Sequence, residues 1–199
     1  MRIKQDDAKI TPETFFAWVS GRDDRYELVD GEVVMMAGAG RRHDAIVANL
    51  ISNIRPQTRG GPCQTFTGDT YIATGPMNRR MPDMGIDCGN PADDSLTAEK
   101  PALIVEVLSP TTRSFDISVK LAEYKMLASL QYILFVDTEN PSVQFFWRDA
   151  AGLWQDTVLT GLDARIELPS INVALSLADI YDEISFRPKP KLVENENDL

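Results

Sequence analysis

The chain has 199 residues, with 30 Asp and Glu against 20 Lys and Arg, a net charge of −10, one His and two Cys. At 43% apolar and 25% charged residues the composition is that of a folding chain rather than a disordered one, and the length suggests one domain. The acidity argues against a general polyanion binder, and a lone His43 all but excludes a Cys/His zinc site. Cys63 and Cys88 are too few for a disulfide framework and too widely spaced for a paired redox or zinc motif.

Met1 to Ile10 is charged and lacks the apolar run of a secretory signal, and no later stretch approaches a membrane span, so a soluble, cytoplasmic protein is expected. Thr11 and Pro12 form a helix start, with Phe15, Phe16, Trp18 and Val19 as its apolar stripe and Gly21 as its stop. Tyr26 to Met36 reads as a hairpin turning at Asp30-Gly31. Ile46, Val47, Leu50, Ile51 and Ile54 recur at helical spacing from Arg42, and Pro56 should close that helix.

Thr65–Ala73 and Met81–Cys88 read as strands joined by a loop over 75–80, with a polar connection over 89–100. Ala102 to Leu108 is almost wholly apolar, the mark of a strand covered on both faces. Ser114 to Leu130 has the strongest helical pattern. Strands follow at Tyr132–Asp137, Val143–Trp147 and Trp154–Leu159, then a strand and short helix within Arg165–Ile184. Residues 187–199 are polar and read as a disordered tail. The whole is an α/β (α+β) fold: a central mixed β-sheet flanked by helices, in a single domain over 1–186.

Two acids stand where strands should be apolar. Glu106 is the only polar side chain in Leu103-Ile104-Val105-Glu106-Val107-Leu108, and a buried unpaired carboxylate costs several kcal/mol. A cation, an Arg or Lys partner, a solvated strand end or protonation must compensate it. In Met81–Cys88, alternation sets Met84, Ile86 and Cys88 on one face and Asp83, Gly85 and Asp87 on the other, with Pro82 marking an edge or bulge. On the following helix, Asp116, Lys120 and Leu127 flank the stripe of Ile117, Leu121, Tyr124 and Ala128. Lys120 can therefore lean over the sheet edge or pair with Asp116, while Glu123 and Met126 point further away.

Pro82-Asp83, Glu106 through Thr112, and Asp116, Lys120 and Tyr124 together resemble the signature of the putative restriction endonuclease family, within the PD-(D/E)XK nuclease superfamily. Tyr26 to Glu32 resembles that family's opening segment, and His43 its recurrent histidine. The resemblance runs from about Tyr26 to Ile184. It implies a restriction-endonuclease-like fold with a four- or five-stranded mixed sheet and its acids at one end of adjacent central strands.

It also implies a Mg²⁺-dependent (or Mn²⁺-dependent) DNA endonuclease, in which Asp83, Glu106 and the Val107 carbonyl hold the metal and Glu27 assists. The superfamily's simplest pattern places Lys two residues after the acid, where this sequence has Leu108. The family pattern supplies the lysine from the helix instead, as Lys120. His43, Asp116 and Tyr124 are accessory candidates. Positive charge for DNA would come from Arg79 and Arg80, Arg41 and Arg42, and Arg113, each also readable as ordinary solvated loop charge. Aromatic strands near the C-terminal end suit a homodimer. The alternative function is a catalytically silent nucleic-acid- or protein-binding homodimer on the same fold.

Overall fold

In the computed structural model, residues 9–36, 38–108 and 116–186 are described, with backbone alone at 116 and 117. Thr11 caps the first helix, α1 (Pro12–Val19), by accepting from the Thr14 amide, and Pro12 occupies its first turn. β1 (Tyr26–Val29) and β2 (Glu32–Met35) pair through a turn in which Asp30 and Gly31 both have positive φ, as a two-residue hairpin requires.

Helix α2 (Arg41–Thr58) runs past Pro56, contrary to the sequence expectation. Pro56 removes one donor in the last turn only. That turn is held in place by Gln57, whose amide exchanges two 2.9 Å hydrogen bonds with the main chain of Ala174, and by buried Ile54 and Thr58.

The segment expected as a loop over 75–80 is a second hairpin, β4 (Ile72–Gly75) and β5 (Asn78–Arg80). It forms because β5 also pairs with β1, through Leu28 and Arg79, a partnership between residues distant in sequence. The result is a four-stranded antiparallel sheet, β2-β1-β5-β4.

The main sheet has six strands, not four or five, in the order β10-β9-β8-β7-β6-β3. These are β3 (Gln64–Thr67), β6 (Met84–Asp87), β7 (Pro101–Leu108), β8 (Tyr132–Asp137), β9 (Ser142–Arg148) and β10 (Trp154–Thr160). Only β7 and β8 are parallel, which makes the sheet mixed as expected. Every residue of β7 is buried, because both faces are covered. Leu103, Val105 and Val107 pack with Ile46, Leu50 and Ile54 of α2. They also meet the closing hairpin of β11 (Arg165–Leu168) and β12 (Val173–Ser176), and α4 (Leu177–Ile180) behind it. Ile104 and Leu108 face the other way, onto Tyr124, Leu130 and Phe135. Glu106 shares that second face by alternation.

The expected long helix over 114–130 is shorter. A π-helical turn (Asp116–Lys120) leads into α3 (Leu121–Lys125), and residues 109–115, Arg113 among them, lie outside the described residues. α3 stops because the carbonyls of Lys125, Leu127 and Leu130 are taken by the Arg148 guanidinium, with Trp154 Nε1 also donating to Lys125. Phe146 is thus buried, and Phe145, Trp147 and Trp154 pack onto the chain's own core. Residues 187–199, read from sequence as a disordered tail, also lie outside the described residues. No helix among the described residues is long and apolar enough to cross a membrane.

One correction concerns the cysteines. β3 pairs with β6, and one step beyond the Gln64–Asp87 pair Cys63 meets Cys88 in a disulfide. The spacing of 25 residues excluded a local motif but not a cross-strand pair. Such bonds persist in oxidising surroundings and are rare in a reducing cytoplasm. Closing a loop of this length should stabilise the fold by about 3 kcal/mol. Thermal unfolding with and without a thiol reductant is expected to show a Tm lower by several degrees on reduction, with the sheet retained; an unchanged Tm would show that the bond contributes nothing.

Candidate active site

The site lies where β6 and β7 share an end. Their register pairs Met84 with Val105, so one step further Asp83, just before β6, stands opposite Glu106. The Val107 amide donates to Asp83 Oδ2 at 2.7 Å, which ties the acid to the neighbouring strand. Pro82 donates no ladder bond at this point, which is why the chain can turn a carboxylate back onto its neighbour. His43, near the start of α2, places Nε2 3.1 Å from Asp83 Oδ1. Among the described residues no hydrogen-bond partner meets its buried Nδ1, and the nearest Asp44 oxygen lies 3.5 Å away. Burial pulls the His43 imidazole down, but the Asp83 and Asp44 carboxylates together outweigh it and leave the pKa above the ordinary value.

Glu106 lies on the Tyr124 side of the sheet and is 5% exposed. Lys120 Nζ lies 3.0 Å from its Oε1, and the Tyr124 hydroxyl donates to the same oxygen at 2.5 Å. Among the described residues none donates to Oε2. Burial pushes the Glu106 carboxyl up to about 7; Lys120 opposes this, the Asp83 and Glu27 charges add to it, and Tyr124 pulls down. Lys120 reaches in as the sequence allowed, and is itself 5% exposed.

Glu27, on β1, is brought to the same place. Its Oε1 accepts from the Met81 amide at 2.9 Å and sits 3.3 Å from Lys120 Nζ. Its Oε2 accepts from Arg80 Nη1 at 3.1 Å. Glu106, Lys120, Glu27 and the accessory candidate Tyr124 therefore belong to one network, and Asp83 with the accessory candidate His43 forms a separate pair beside it at the same strand end. The side chain of Asp116, and all of Arg113, lie outside the described residues.

Among the candidate DNA-binding arginines, Arg80 corrects the sequence reading. Arg80 is not a surface cation: it is 1% exposed and held between Glu27 and Glu123. Arg79 donates to the carbonyls of Gly75 and Asn78, and Arg42 to Glu139 and the carbonyls of Thr138 and Ser185. Arg41 is exposed at the start of α2.

Glu123 does not point away as the helical stripe suggested. It is half-buried, accepting from Arg80 Nε at 2.8 Å and Thr74 Oγ1 at 2.7 Å. The π-helical turn ahead of α3 shifts the phase of the residues after it, which a uniform 3.6-residue reading cannot anticipate. Burial raises the Glu123 carboxyl, but Arg80 and Thr74 outweigh it and hold it below its usual range. Asp87, at the far end of β6, accepts from the amides of Gly89, Glu99 and Lys100 and so supports a loop rather than the site.

An open cleft of about 330 Å³ borders Asp83 and His43, lined by Val47 and Ile51 of α2 and by the Thr67–Asp69 turn. Arg25, unremarked in the sequence, flanks it, with its guanidinium on the Gly68 carbonyl. Among the described residues no three His, Cys, Asp or Glu side chains form a ready metal cluster. The donor set nonetheless suits a hard cation. Four carboxylates gather at this strand end: Glu27, Glu106 and Glu123 face Lys120 and Arg80, and Asp83 faces His43, so oxygen donors outnumber the basic groups set against them.

A family model described as "Uma2: Putative restriction endonuclease" matches residues 12–178. A Synechocystis protein, slr1290, uncharacterized by name, is 28% identical over 181 residues, covering 89% of this chain and 94% of its own length. A second from the same organism, sll1609, is 25% identical over 154 residues, covering 75% and 87%. A crystal structure of an Anabaena variabilis protein, titled a putative nuclease belonging to DUF820, superposes with a TM-score of 0.71 at 18% identity, covering 86% of this chain and 97% of that one. At that identity the likeness is one of fold.

The Glu106 environment has a stability consequence. With a folded pKa raised to about 7 from an ordinary 4.5, the folded state binds more protons than the unfolded state between those values. Stability from this group is therefore lost as pH rises through that window. In metal-free buffer, Glu106→Gln is expected to raise Tm at pH 8 by on the order of 5 °C and to match wild type near pH 4. A lower Tm at pH 8 would show that the Lys120 ion pair outweighs burial.

Proposed function

The chain belongs to the Uma2 family described as "Putative restriction endonuclease", and from that premise we propose that it is a divalent-metal-dependent DNA endonuclease hydrolysing phosphodiester bonds. The observation that carries this reading is the facing pair of acids at the β6–β7 end, with a buried lysine on one of them. Nothing about packing requires a glutamate in the middle of a buried strand with a lysine delivered to it from another element. Asp83 and Glu106 would hold Mg²⁺ or Mn²⁺, with the Val107 carbonyl as a further oxygen donor. A cation there supplies charge neutralisation at a phosphoryl oxygen and makes water easier to deprotonate.

The side chains have separate tasks. Lys120 directs the attacking water and offsets negative charge developing on the phosphate oxygens, a contribution that grows in a dry site. Tyr124 holds Glu106 Oε1, leaving Oε2 as the oxygen without a described donor. His43 orients Asp83 from the α2 side. Glu27 keeps Lys120 in place from below. The cleft beside Asp83 gives a backbone phosphate its approach.

DNA binding would be weak and strongly salt-dependent. Arg80 is buried, Arg42 is tied to Glu139, and the whole chain is acidic. A second copy would find its seat on β10, which ends the six-stranded sheet and exposes Val158.

Plasmid and single-strand cleavage at low salt with Mn²⁺ or Mg²⁺ tests the proposal. Wild type should cleave, a chelator should abolish cleavage, and Asp83→Ala and Glu106→Ala should each lose about 100-fold or more while remaining folded. Cleavage retained in both variants, or insensitive to chelation, would overturn it.

A further inference from the structure

We propose that Arg80 is a positioning residue for the site: through Glu27 it fixes where the Lys120 ammonium sits. The inference deepens the nuclease reading and rests on it for the role of Lys120. It stands on a closed ring of contacts. Arg80 grips Glu123 with two parallel hydrogen bonds, Nε to Oε2 at 2.8 Å and Nη2 to Oε1 at 2.5 Å. Its third donor, Nη1, reaches Glu27 Oε2 at 3.1 Å. Glu27 Oε1 then faces Lys120 Nζ at 3.3 Å. Lys120 lies at the end of the π-helical turn and Glu123 in the short helix that continues it, so the chain itself closes the ring.

The ring answers a physical problem. A lysine ammonium rides on four rotatable bonds, and a helix of one or two turns does little to hold its own orientation. α3 has five residues and ends at once. Arg80 fastens that helix to the four-stranded sheet, because β5 pairs with β1, the strand that carries Glu27. The same arginine stands three residues before Asp83, so one buried group links the position of the lysine to the position of the opposite acid. A guanidinium suits this and an ammonium does not. Only the planar fork can engage one carboxylate with two donors and still present a third to another. The 1% exposure of Arg80 removes a direct phosphate contact as the reason for its presence.

The test uses the full chain and two readouts. The first needs no activity: native protein is treated with an amine-acylating reagent and the modification of each lysine is followed by peptide mass spectrometry. Lys120 should be protected in wild type and acylated severalfold faster in Arg80→Met, with Lys100 unchanged. Arg80→Lys, which keeps the charge and the fold but cannot span both acids, should fall between. A core variant chosen for the same loss of Tm as Arg80→Met should leave Lys120 protected. The second readout is metal-dependent cleavage, where Arg80→Lys should lower kcat about 10- to 100-fold with KM little changed.

Lys120 labelling and kcat both at wild-type levels in Arg80→Lys would overturn the proposal. So would faster labelling in the core variant. If wild type shows no cleavage, the nuclease reading fails by itself, while the labelling still decides whether Arg80 holds Lys120.

Discussion

A carboxylate in the middle of a fully buried strand is the constraint around which this molecule is arranged. Glu106 cannot be left alone among Ile104, Leu108, Tyr124 and Phe135, since desolvating an unpaired charge costs more than most single interactions return. Two hydrogen-bond donors, Lys120 and Tyr124, are spent on one of its oxygens, yet burial still dominates and keeps its pKa high. The fold thus carries an electrostatic cost that packing does not explain, and such costs recur at sites of chemistry.

The remaining charges are arranged by the same logic. Arg80 is buried only because two carboxylates accept from each of its three nitrogens, and those carboxylates turn inward only because Arg80 and Lys120 answer them. Removing one member would strand its neighbours, so the network is coupled and its parts do not contribute additively. Its position is also informative. It joins the four-stranded sheet, the π-helical turn and α3 on the side of β7 away from α2, while His43 approaches Asp83 from α2 itself. The two acids are therefore held from opposite layers of the molecule, which fixes their separation through the packing of the main sheet.

Commitment of Arg80 and Lys120 to internal partners removes two positive charges from the surface. Of the arginines that a charge count would assign to a polyanion, Arg80 is buried, Arg79 and Arg42 are tied to carbonyls or to Glu139, and Arg41 is exposed. The family match and the shared fold with a cyanobacterial relative agree with a nuclease framework.

Much of this was legible in the sequence. Local chemistry determined the Thr11-Pro12 helix start, the Asp30-Gly31 hairpin and the apolar strand around Glu106, because caps, turns and alternation act over a few residues. The oddity of Glu106 was visible for the same reason: a lone acid in an apolar run violates a local rule, and Lys120 stood close enough to the helical stripe to answer it. Only the tertiary structure decided that Arg80 lies inside, that 75–80 is a hairpin, that Glu123 turns inward and that Cys63 meets Cys88. Each depends on a partner far away in sequence: Glu27 for Arg80, β1 for β5, Arg80 for Glu123, β6 for β3. Spacing and periodicity report what a residue does with its neighbours along the chain, and whether an arginine is a solvated charge or a buried clamp is settled by what the fold brings across from elsewhere.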